Sequence, residues 1–553
     1  MLLDYNPATK AFLLRVNRAE ANVREIVEQH GLDISLPASS SQEAVLFTRQ
    51  PYAAAAFGSY ATPGAANELR EILDAVAQSW SPASDMVIAQ PADRELWSFQ
   101  RADVAYALGR RNTLVGDQPG LGKTPVAICF ANEIKAKRVL VVCPANIRLQ
   151  WAKRIREWST MKGRYTVYPI LKSSHGVYPD AEWTVVSYDL ARTEAIGKAL
   201  AAQRYDLLVL DEVRYLKEDD TNRARAVFGG GDVSLFTPLA ERCDRILALD
   251  GTPLPNRPAE IYTVARSLCF DAIDFMSKEK FRDRFNPSLR FQVEAKDADG
   301  HIIKDSAGRP VMKWVTDERS GRHWELQNRL RANFMVRHLK SEVMSQLHLP
   351  AFDVIDLEET AEIREALHAE SLLHIDFEDL KGIDYINGHI GAVRCMMGIA
   401  CAPQVADYAK LVLDSGEDKL TIFAWHIKVL DILQQKLEKF GVLRIDGSTT
   451  ASQKQRFTDE FRANPDKRVM LGNMLSLGSG TDGLQDVCQR GIIAEPDWVF
   501  GNNQQCSDRL VRGGQKGKVL IDICAPAKSI AAKILAHALD HGHTINKALD
   551  ARI

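Results

Sequence analysis

The sequence lacks the features that mark several large classes of protein. No apolar run in its 553 residues is long enough to span a membrane, and the first residues, MLLDYNPATK, have neither the basic start nor the apolar stretch of a signal peptide. The nine cysteines are scattered singly, without a CxxC pair or a Cys/His cluster at zinc spacing. We therefore expect unpaired thiols, no zinc site, no membrane contact and a cytoplasmic location.

The chain also has little net charge and no internal repetition. Its formal net charge is −2, while 46% of its residues are hydrophobic and 26% are charged, which is ordinary for a globular protein. This balance does not indicate nucleic acid as a partner, although a local basic groove on a neutral protein would still be compatible with one. A chain of this length exceeds a single ordinary core, so several domains are expected.

Two stretches of the chain alternate short aliphatic strands with helices. Near-continuous Val, Leu and Ile runs of this kind are typical of parallel sheets that are covered on both faces. The predicted strands are 113–115, 138–142, 184–187, 207–210 and 246–249 in the first stretch, and 420–424, 442–445, 469–471, 491–494 and 519–523 in the second. This pattern predicts two α/β sheets in tandem, joined by a mostly helical middle region.

The remaining segments complete the predicted division into domains. A small N-terminal α+β module occupies residues 1–52, and a linker with one helix occupies 53–92. The first α/β lobe covers 93–350, the helical connector 351–415 and the second lobe 416–553. Within the first lobe, two turn signals between alternating segments predict a β-hairpin insertion at 288–316.

The segment DQPGLGKT, residues 117–124, directly follows a predicted strand and precedes a predicted helix. Gly120 and Gly122 let the backbone wrap phosphate oxygens, and the helix adds its N-terminal N–H groups. Lys123 would bind the β- and γ-phosphates of ATP, and Thr124 would hold Mg²⁺. Asp117 stands where the generic loop has glycine. The alternative, a glycine turn with an incidental lysine, is disfavoured by the flanking strand and helix.

An acidic pair, Asp211–Glu212, ends a later predicted strand and should lie beside the phosphate loop, because ligands bind at the carboxyl ends of parallel strands. Asp211 would hold Mg²⁺, and Glu212 would orient and deprotonate the attacking water. Near the end of the second lobe, Arg509 and Arg512 share one helix face and could stabilise charge on the γ-phosphate. Each element has an ordinary alternative, a helix N-terminus for the acids and a solvated basic helix end for the arginines.

Taken together, these segments resemble the SWI/SNF-like branch of helicase superfamily two, and within it the DNA-annealing, fork-remodelling type. The resemblance covers residues 96–525 and rests on nine segments in order: LWSFQ, DQPGLGKT, VVCPANIRLQW, VVSYDL, LDGTPLPNRPAEIY, FMVRHLKSEVMSQLHLP, KLTIFAWHIKVLD with RIDGSTTASQKQ, GSGTDGLQ and WVFGNNQQCSDRLVRGGQ. It implies two RecA-like lobes sharing one ATP site. The segment YNPATKAFLLRV and the helix after it are similar to the HARP-like module that precedes annealing-type motors and helps them recognise branched DNA.

The resemblance assigns further residues. It makes Gln100 the residue that reads adenine, accounts for Asp117 as the family's own form of the loop, and places Gly480, Asp482 and Gln505 at the nucleotide. The residues expected to face nucleic acid are Ser187, Tyr188, Gly251, Thr252, Asn256, Ser448 and Thr449. Two segments depart from the family. Arg214 replaces a histidine that helps to couple hydrolysis to the track, and TDGLQ is not the usual form, which puts the efficiency of coupling in doubt.

The expected function is that of an ATP-dependent, Mg²⁺-requiring translocase on duplex DNA, which remodels forked or branched DNA by branch migration and strand annealing. It would contact mostly phosphate, act as a monomer and associate with the nucleoid; the compact size points to a bacterial or phage protein. Two alternatives remain open. One is a strand-separating DNA or RNA helicase, and the other is a nucleic-acid-binding scaffold with a degenerate ATPase, which the intact Lys123, Asp211, Glu212 and Arg512 disfavour.

Overall fold

The computed structural model describes residues 1–17, 22–30, 32–35, 43–161, 163, 166–230, 236–253, 258–286, 288–294, 312–318, 322–343, 351–371, 388–477, 483–496, 503, 506–511, 515, 517–529 and 532. Everything below refers to these residues. They form a small N-terminal module and two lobes, each built on a parallel sheet.

The N-terminal module is an antiparallel sheet of order β1-β2-β4-β3 with helices on it. Its elements are β1 Leu2–Asn6, β2 Ala11–Asn17, α1 Val23–His30, β3 Asp33–Ser35, β4 Glu43–Thr48, α2 Pro51–Ala55 and α3 Pro63–Trp80. Thr62 caps α3 by accepting a hydrogen bond from the Ala65 N–H, and Pro63 fits its first turn. The α+β module predicted at the N-terminus is therefore present, and α3 is the helix predicted within the segment 53–92.

The segment 53–92 is more than the linker that its Ala, Pro and Gly content predicts. Ala54, Phe57, Ala65 and Leu69 pack into the same apolar core as Leu3, Phe12, Leu14 and Leu46 of the sheet. Small residues are typical of a loose connector, but in this segment they let α2 and α3 approach the sheet closely. The two helices thus supply one wall of the module.

The first lobe contains a seven-stranded sheet of order β13-β5-β10-β9-β6-β8-β7, with all neighbours parallel. Its elements are α4 Ser98–Leu108, β5 Asn112–Val115, α5 Lys123–Glu133, β6 Val139–Cys143, α6 Arg148–Trp158, β7 Val167–Pro169, β8 Trp183–Ser187, α7 Tyr188–Ala191, α8 Glu194–Ala201, β9 Tyr205–Asp211, α9 Asn222–Phe228, β10 Cys243–Leu249, α10 Tyr262–Cys269, α11 Lys278–Phe285, β11 Ser288–Glu294, β12 Met312–Glu318, α12 His323–Asn333, β13 Met335–Val336 and α13 Lys340–Val343. Leu208 and Leu210 of β9 enter one core, while Leu207 and Val209 enter the other, so both faces of the sheet are covered.

The predicted hairpin insertion is confirmed. Strands β11 and β12 pair antiparallel, with Ser288 opposite Glu318 and Glu294 opposite Met312, so the second strand extends two residues beyond the predicted end at 316. The residues between the strands, with Lys296, Lys304 and Arg309, lie outside the described part of the chain.

The second lobe is a six-stranded parallel sheet of order β14-β19-β18-β15-β17-β16. Its elements are β14 Ala351–Asp356, α14 Ala361–Ser371, α15 Gly388–Asp414, β15 Leu420–Ala424, α16 Ile427–Leu437, β16 Val442–Ile445, α17 Ala451–Ala463, β17 Val469–Asn473, α18 Met474–Leu477, β18 Arg490–Ile493 and β19 Leu520–Ala525. Leu420 and Ile422 face one core and Phe423 faces the other. Two parallel α/β sheets in tandem are therefore confirmed.

The predicted helical connector, 351–415, belongs structurally to the second lobe. Its first residues form β14, which pairs along its length with β19. Val405 and Ala409 of α15 share a core with Leu420, Ile422 and Leu430. Helix propensity in 361–414 was visible in the sequence, but the strand was not, because its side chains are mostly exposed and it lacks a buried apolar run.

Candidate active site

The phosphate loop lies between β5 and α5. Gly120 and Gly122 have φ of 89° and 82°, and a Cβ at Gly122 would come within 2.4 Å of the Gln100 side-chain nitrogen, so only glycine fits there. The Lys123 Nζ donates to the Asp117 carbonyl at 2.7 Å, and burial lowers the pKa of Lys123 although four nearby carboxylates oppose that shift. Backbone N–H groups and the partly buried Lys123 ammonium together make an anion-binding cradle.

Gln100 is held against this loop. Its side-chain nitrogen donates to the Leu121 carbonyl at 2.9 Å, and its oxygen accepts from the Trp97 N–H at 2.9 Å. Gln100 therefore borders the cleft, as its predicted role in reading adenine requires, while both ends of its amide already support the loop and the start of α4.

The predicted placement of Asp117 at the nucleotide needs correction. Its carboxylate is fully buried and accepts from the His338 N–H at 2.8 Å and from the His338 ring Nδ1 at 3.2 Å. The same Nδ1 lies 3.1 Å from Asp103, and Nε2 donates to the Ser81 carbonyl at 2.9 Å. Burial would lower the pKa of His338, but Asp103 and Asp117 raise it to about 11. Asp117 thus holds the phosphate loop through its hydrogen bonds to His338, a contact that the sequence pattern does not predict.

The acidic pair ends β9, beside the loop. The Asp211 carboxylate accepts from the Trp151 indole N–H at 2.6 Å, and burial, together with the neighbouring Glu212 carboxylate, raises the pKa of Asp211 to about 7. Glu212 occupies the left-handed region with φ of 56°, a conformation uncommon outside glycine, and so begins the turn after the strand. Strain of this kind is concentrated at functional sites.

Arg214, the departure from the family pattern, connects the acidic pair to the segment after β10. Its guanidinium lies 3.1 Å from the Glu212 carboxylate and donates to the Thr252 hydroxyl, and its backbone N–H donates to Asp250 at 2.8 Å. The Thr252 N–H also donates to Asp250, at 2.8 Å. Arginine at this position therefore links the two motifs physically, and the expected effect of the missing histidine on coupling stays a prediction.

Four of the residues expected to face nucleic acid have internal contacts instead. Ser187 is buried and caps α7 by accepting from the Leu190 N–H, and Tyr188 is buried with its hydroxyl donating to the Asp211 carbonyl at 2.9 Å. Gly251 is packed against Pro119 of the phosphate loop, and the Thr252 hydroxyl is taken by Arg214. A motif position does not distinguish a hydroxyl that binds DNA from one that completes the fold, and the contacts of these four residues are structural, so their assignment to the track stays a prediction without support from side-chain exposure.

Ser448 and Thr449 differ from those four. They follow β16, at the carboxyl edge of the second sheet, where Ser448 is exposed. The Asp446 carboxylate accepts from the Ser448 hydroxyl at 2.6 Å and from its N–H at 3.0 Å, and the Thr449 hydroxyl accepts from the Asp446 N–H at 3.0 Å. This turn is therefore preorganised and accessible, and a role in binding phosphate stays a prediction.

A cleft of about 370 Å³ joins these parts across the two lobes. The first lobe contributes the loop with Gly120, Gly122, Lys123 and Thr124, and also Gln100, Trp97, Trp151, Asp211, Glu212 and Gly251; the second lobe contributes Gln485 and Arg509. Arg509 is only 7% exposed. Asn256, Gly480, Asp482, Gln505 and Arg512 lie outside the described residues, so their predicted roles stay predictions.

The residues around the cleft fit Mg²⁺ and a nucleoside triphosphate. A glycine loop that leaves no room for a Cβ, a partly buried lysine and the Thr124 hydroxyl provide for phosphate. One carboxylate oxygen of Glu212 is buried and accepts no hydrogen bond. It forms an ion pair with the Arg214 guanidinium, 3.1 Å away, and could also accept a hydrogen bond from a water. Carboxylate and hydroxyl oxygens are the ligands that Mg²⁺ prefers.

Other expectations from the sequence concern sites elsewhere. None of the nine cysteines, all of them among the described residues, forms a disulfide with another, and seven of them are buried. Across the part of the chain that the structure describes, no helix has the length and apolar character needed to cross a membrane.

Comparison with known proteins places the chain in a family. Residues 97–379 match the model of the SNF2-related domain. The chain is 27% identical over 445 residues to the DNA annealing helicase and endonuclease ZRANB3 of Mus musculus, covering 77% of this chain and 38% of that protein. It is 28% identical over 438 residues to the SWI/SNF-related matrix-associated actin-dependent regulator of chromatin subfamily A-like protein 1 of Xenopus tropicalis, covering 77% and 42%.

Among solved structures, the Sulfolobus solfataricus SWI2/SNF2 ATPase core in complex with dsDNA matches 85% of this chain and 100% of that chain, at 16% identity and a TM-score of 0.37. The chain spans about two fifths of the length of the curated relatives named above. The matched domain covers more than half of the sequence and contains the phosphate loop and the acidic pair. The chain therefore belongs to the SNF2-related family, within its SWI/SNF-like branch.

Proposed function

We propose that the chain is an ATP-dependent translocase on double-stranded DNA that remodels forked or branched DNA. The observation that carries this proposal is the cleft in which Lys123, Asp211 and Glu212 of the first lobe meet Arg509 of the second. A site divided between two lobes changes its fit as the lobes move, so that hydrolysis can be converted into movement. The two relatives named above, one of them called a DNA annealing helicase, support DNA as the track.

The residues of the cleft would have separate roles in nucleotide binding and hydrolysis. Lys123 and the loop N–H groups bind the phosphates, and Gln100 borders the base. Bound Mg²⁺, held by Thr124 and Asp211, would neutralise charge on the phosphates. Glu212 would accept a proton from the attacking water, and the Arg214 guanidinium, 3.1 Å from its carboxylate, would orient it. Arg509, with Arg512, would stabilise the charge that develops on the transferred phosphoryl group.

Nucleic acid would be bound mainly through phosphate, at the exposed turn of Ser448 and Thr449 and at backbone N–H groups along the same edges of the sheets. We further propose that the motor acts as a monomer. We place it with the DNA of a bacterial or phage-infected cell, in the cytoplasm, and assign the recognition of branched DNA to the N-terminal module at 1–52.

The first test is ATP hydrolysis without nucleic acid and then with single-stranded DNA, duplex DNA, forked DNA or RNA. We expect duplex or forked DNA to stimulate the wild-type chain, and Lys123→Ala to lose activity by ~10³-fold or more, because the phosphates lose their cation. Lys198→Met, which removes an exposed ion pair with Glu194, serves as the matched control.

Three outcomes would contradict the proposal. Stimulation by RNA alone would indicate an RNA-dependent enzyme, and unwinding of a blunt duplex would indicate a strand-separating helicase. Tight DNA binding without hydrolysis on any track would indicate a scaffold with a degenerate ATPase.

A further inference from the structure

The segment from Val336, the last residue of β13, to Lys340 is hydrogen-bonded to the start of the phosphate loop. The Gly116 N–H donates to the Val336 carbonyl at 2.8 Å, and the Gln118 N–H donates to the His338 carbonyl at 3.1 Å. In return, the Lys340 N–H donates to the Gln118 side-chain oxygen at 2.8 Å. The backbone position of Lys340 is therefore fixed by the loop that would hold the phosphates.

The side chain of Lys340 crosses to the other lobe. Its ammonium donates to the Asp508 carboxylate and, at 2.8 Å, to the Val511 carbonyl. Lys340 is only 3% exposed and Asp508 only 6%. Asp508 is the residue before Arg509, which lines the cleft, so one ammonium ties the arginine-bearing segment of the second lobe to the phosphate loop of the first.

The physical properties of this contact favour a role in positioning over one in stability. Burying an ammonium and a carboxylate costs desolvation energy that their attraction barely repays, so such a pair contributes little net stability. It does impose geometry, because either charge left alone in this buried place would be strongly unfavourable. The pair therefore favours the single arrangement of the lobes in which both charges are satisfied.

We propose that Lys340 is a positioning residue: it holds the segment from Asp508 to Val511 in register with the phosphate loop, so that Arg509 reaches the cleft. This inference rests on the proposed function, since it assigns Lys340 to the same ATP site. Lys340 does not line the cleft, and it acts through Arg509.

The test compares Lys340→Met, Asp508→Asn and the conservative Lys340→Arg with the wild-type chain and with the Lys198→Met control. We expect Lys340→Met and Asp508→Asn each to lower kcat with duplex DNA roughly tenfold. The KM for ATP and the affinity for ADP should stay within about twofold, because the first lobe alone forms the phosphate loop. Lys340→Arg should recover part of kcat, since its guanidinium can also bond a carboxylate and a carbonyl.

Two further measurements separate positioning from a general loss of structure. Affinity for ADP with aluminium fluoride, which mimics the transferred phosphoryl group, should fall with kcat in Lys340→Met, while ADP affinity reports that the variant is folded. In an Arg509→Ala background, Lys340→Met should cost little more, because residues that act as a unit are not additive.

Each contrary result has a distinct meaning. Equal kcat values in Lys340→Met and wild type, a parallel loss of ADP affinity, or full additivity with Arg509→Ala would overturn the inference while the proposed function stands. A wild-type chain that hydrolyses no ATP with any nucleic acid would overturn both.

Discussion

Asp211 shows how the site sets the chemistry of one residue. Burial and the Glu212 carboxylate raise its pKa to about 7, so near neutral pH the folded chain without nucleotide holds a proton there that the unfolded chain has released. A carboxyl with a raised pKa favours the folded state at low pH, and this contribution is lost as the pH rises toward 7. The buried Asp211 and Glu212 carboxylates therefore repel each other when both are charged, and a bound cation would reduce this repulsion.

Asp211→Asn should consequently stabilise the chain at high pH. Asparagine keeps an oxygen for the Trp151 indole but has no charge to bury. In buffer without nucleotide or Mg²⁺, we expect the substitution to raise the free energy of unfolding by about 2 to 3 kcal/mol more at pH 8 than at pH 5, because at pH 5 the folded chain bears only part of the cost of charging Asp211. Urea denaturation at both pH values measures this. Asp189→Asn, at an exposed carboxylate, is the control, and an equal loss at both pH values would refute the explanation.

The sequence allowed part of the site to be predicted. Lys123, Asp211 and Glu212 could be placed together because each follows a strand, and the carboxyl ends of parallel strands share an edge. His338 and Lys340 could not, because their partners Asp117 and Asp508 lie far away in sequence and no local pattern announces such a contact. The assignment of Ser187 and Tyr188 to nucleic acid stays a prediction, since a family motif contains structural and ligand-binding residues alike and both side chains are buried.

At the scale of elements, α3 links the N-terminal module to the first lobe. The Arg331 guanidinium, fully buried, donates to the Ser79 carbonyl at 3.0 Å and stacks 3.3 Å from the Trp80 ring centroid. The Ser81 carbonyl, just beyond the helix, accepts from His338 behind the phosphate loop. The end of α3 thus provides hydrogen-bond acceptors for the buried Arg331 and His338 side chains of the first lobe.

Removing residues 1–80 should therefore destabilise the first lobe itself. We expect a loss of about 3 kcal/mol or more in the free energy of unfolding, because α12 loses the helix that packs on it and the Arg331 guanidinium loses its contacts with Ser79 and Trp80. Urea denaturation of the full and the shortened chain would measure this loss. An equal free energy of unfolding of the first lobe in the two chains would refute the prediction.

Long, buried strands were predictable and short or exposed ones were not. The ten predicted strands all form: most are apolar runs whose side chains are buried, and β16 buries every second side chain. Strands β7 and β13 have three and two residues, too few to show a pattern, and β14 is mostly exposed at an edge. Their strand state comes from pairing with neighbours and not from their own composition.

For the whole molecule, the net charge of −2 leaves any affinity for DNA to local groups. Contacts to phosphate release counterions, so affinity should depend on salt and not on sequence. For roughly four phosphate contacts, we expect duplex affinity to fall ~100-fold between 50 and 200 mM salt. Fluorescence anisotropy with two unrelated duplexes measures both properties, and a salt-insensitive or sequence-selective complex would exclude binding of this kind.

The pairing of β14 with β19 also has a consequence for how the chain is made. Ala351 lies beside Leu520, so the partner of this strand is synthesised about 170 residues later. At translation rates of roughly 5 to 20 residues per second, this leaves a delay of ~10 to 30 s. During that time β14, with Phe352 and Val354, emerges from the ribosome without its neighbour. The second lobe therefore completes its sheet late in synthesis, whereas the first lobe has all its strands once Val336 has emerged.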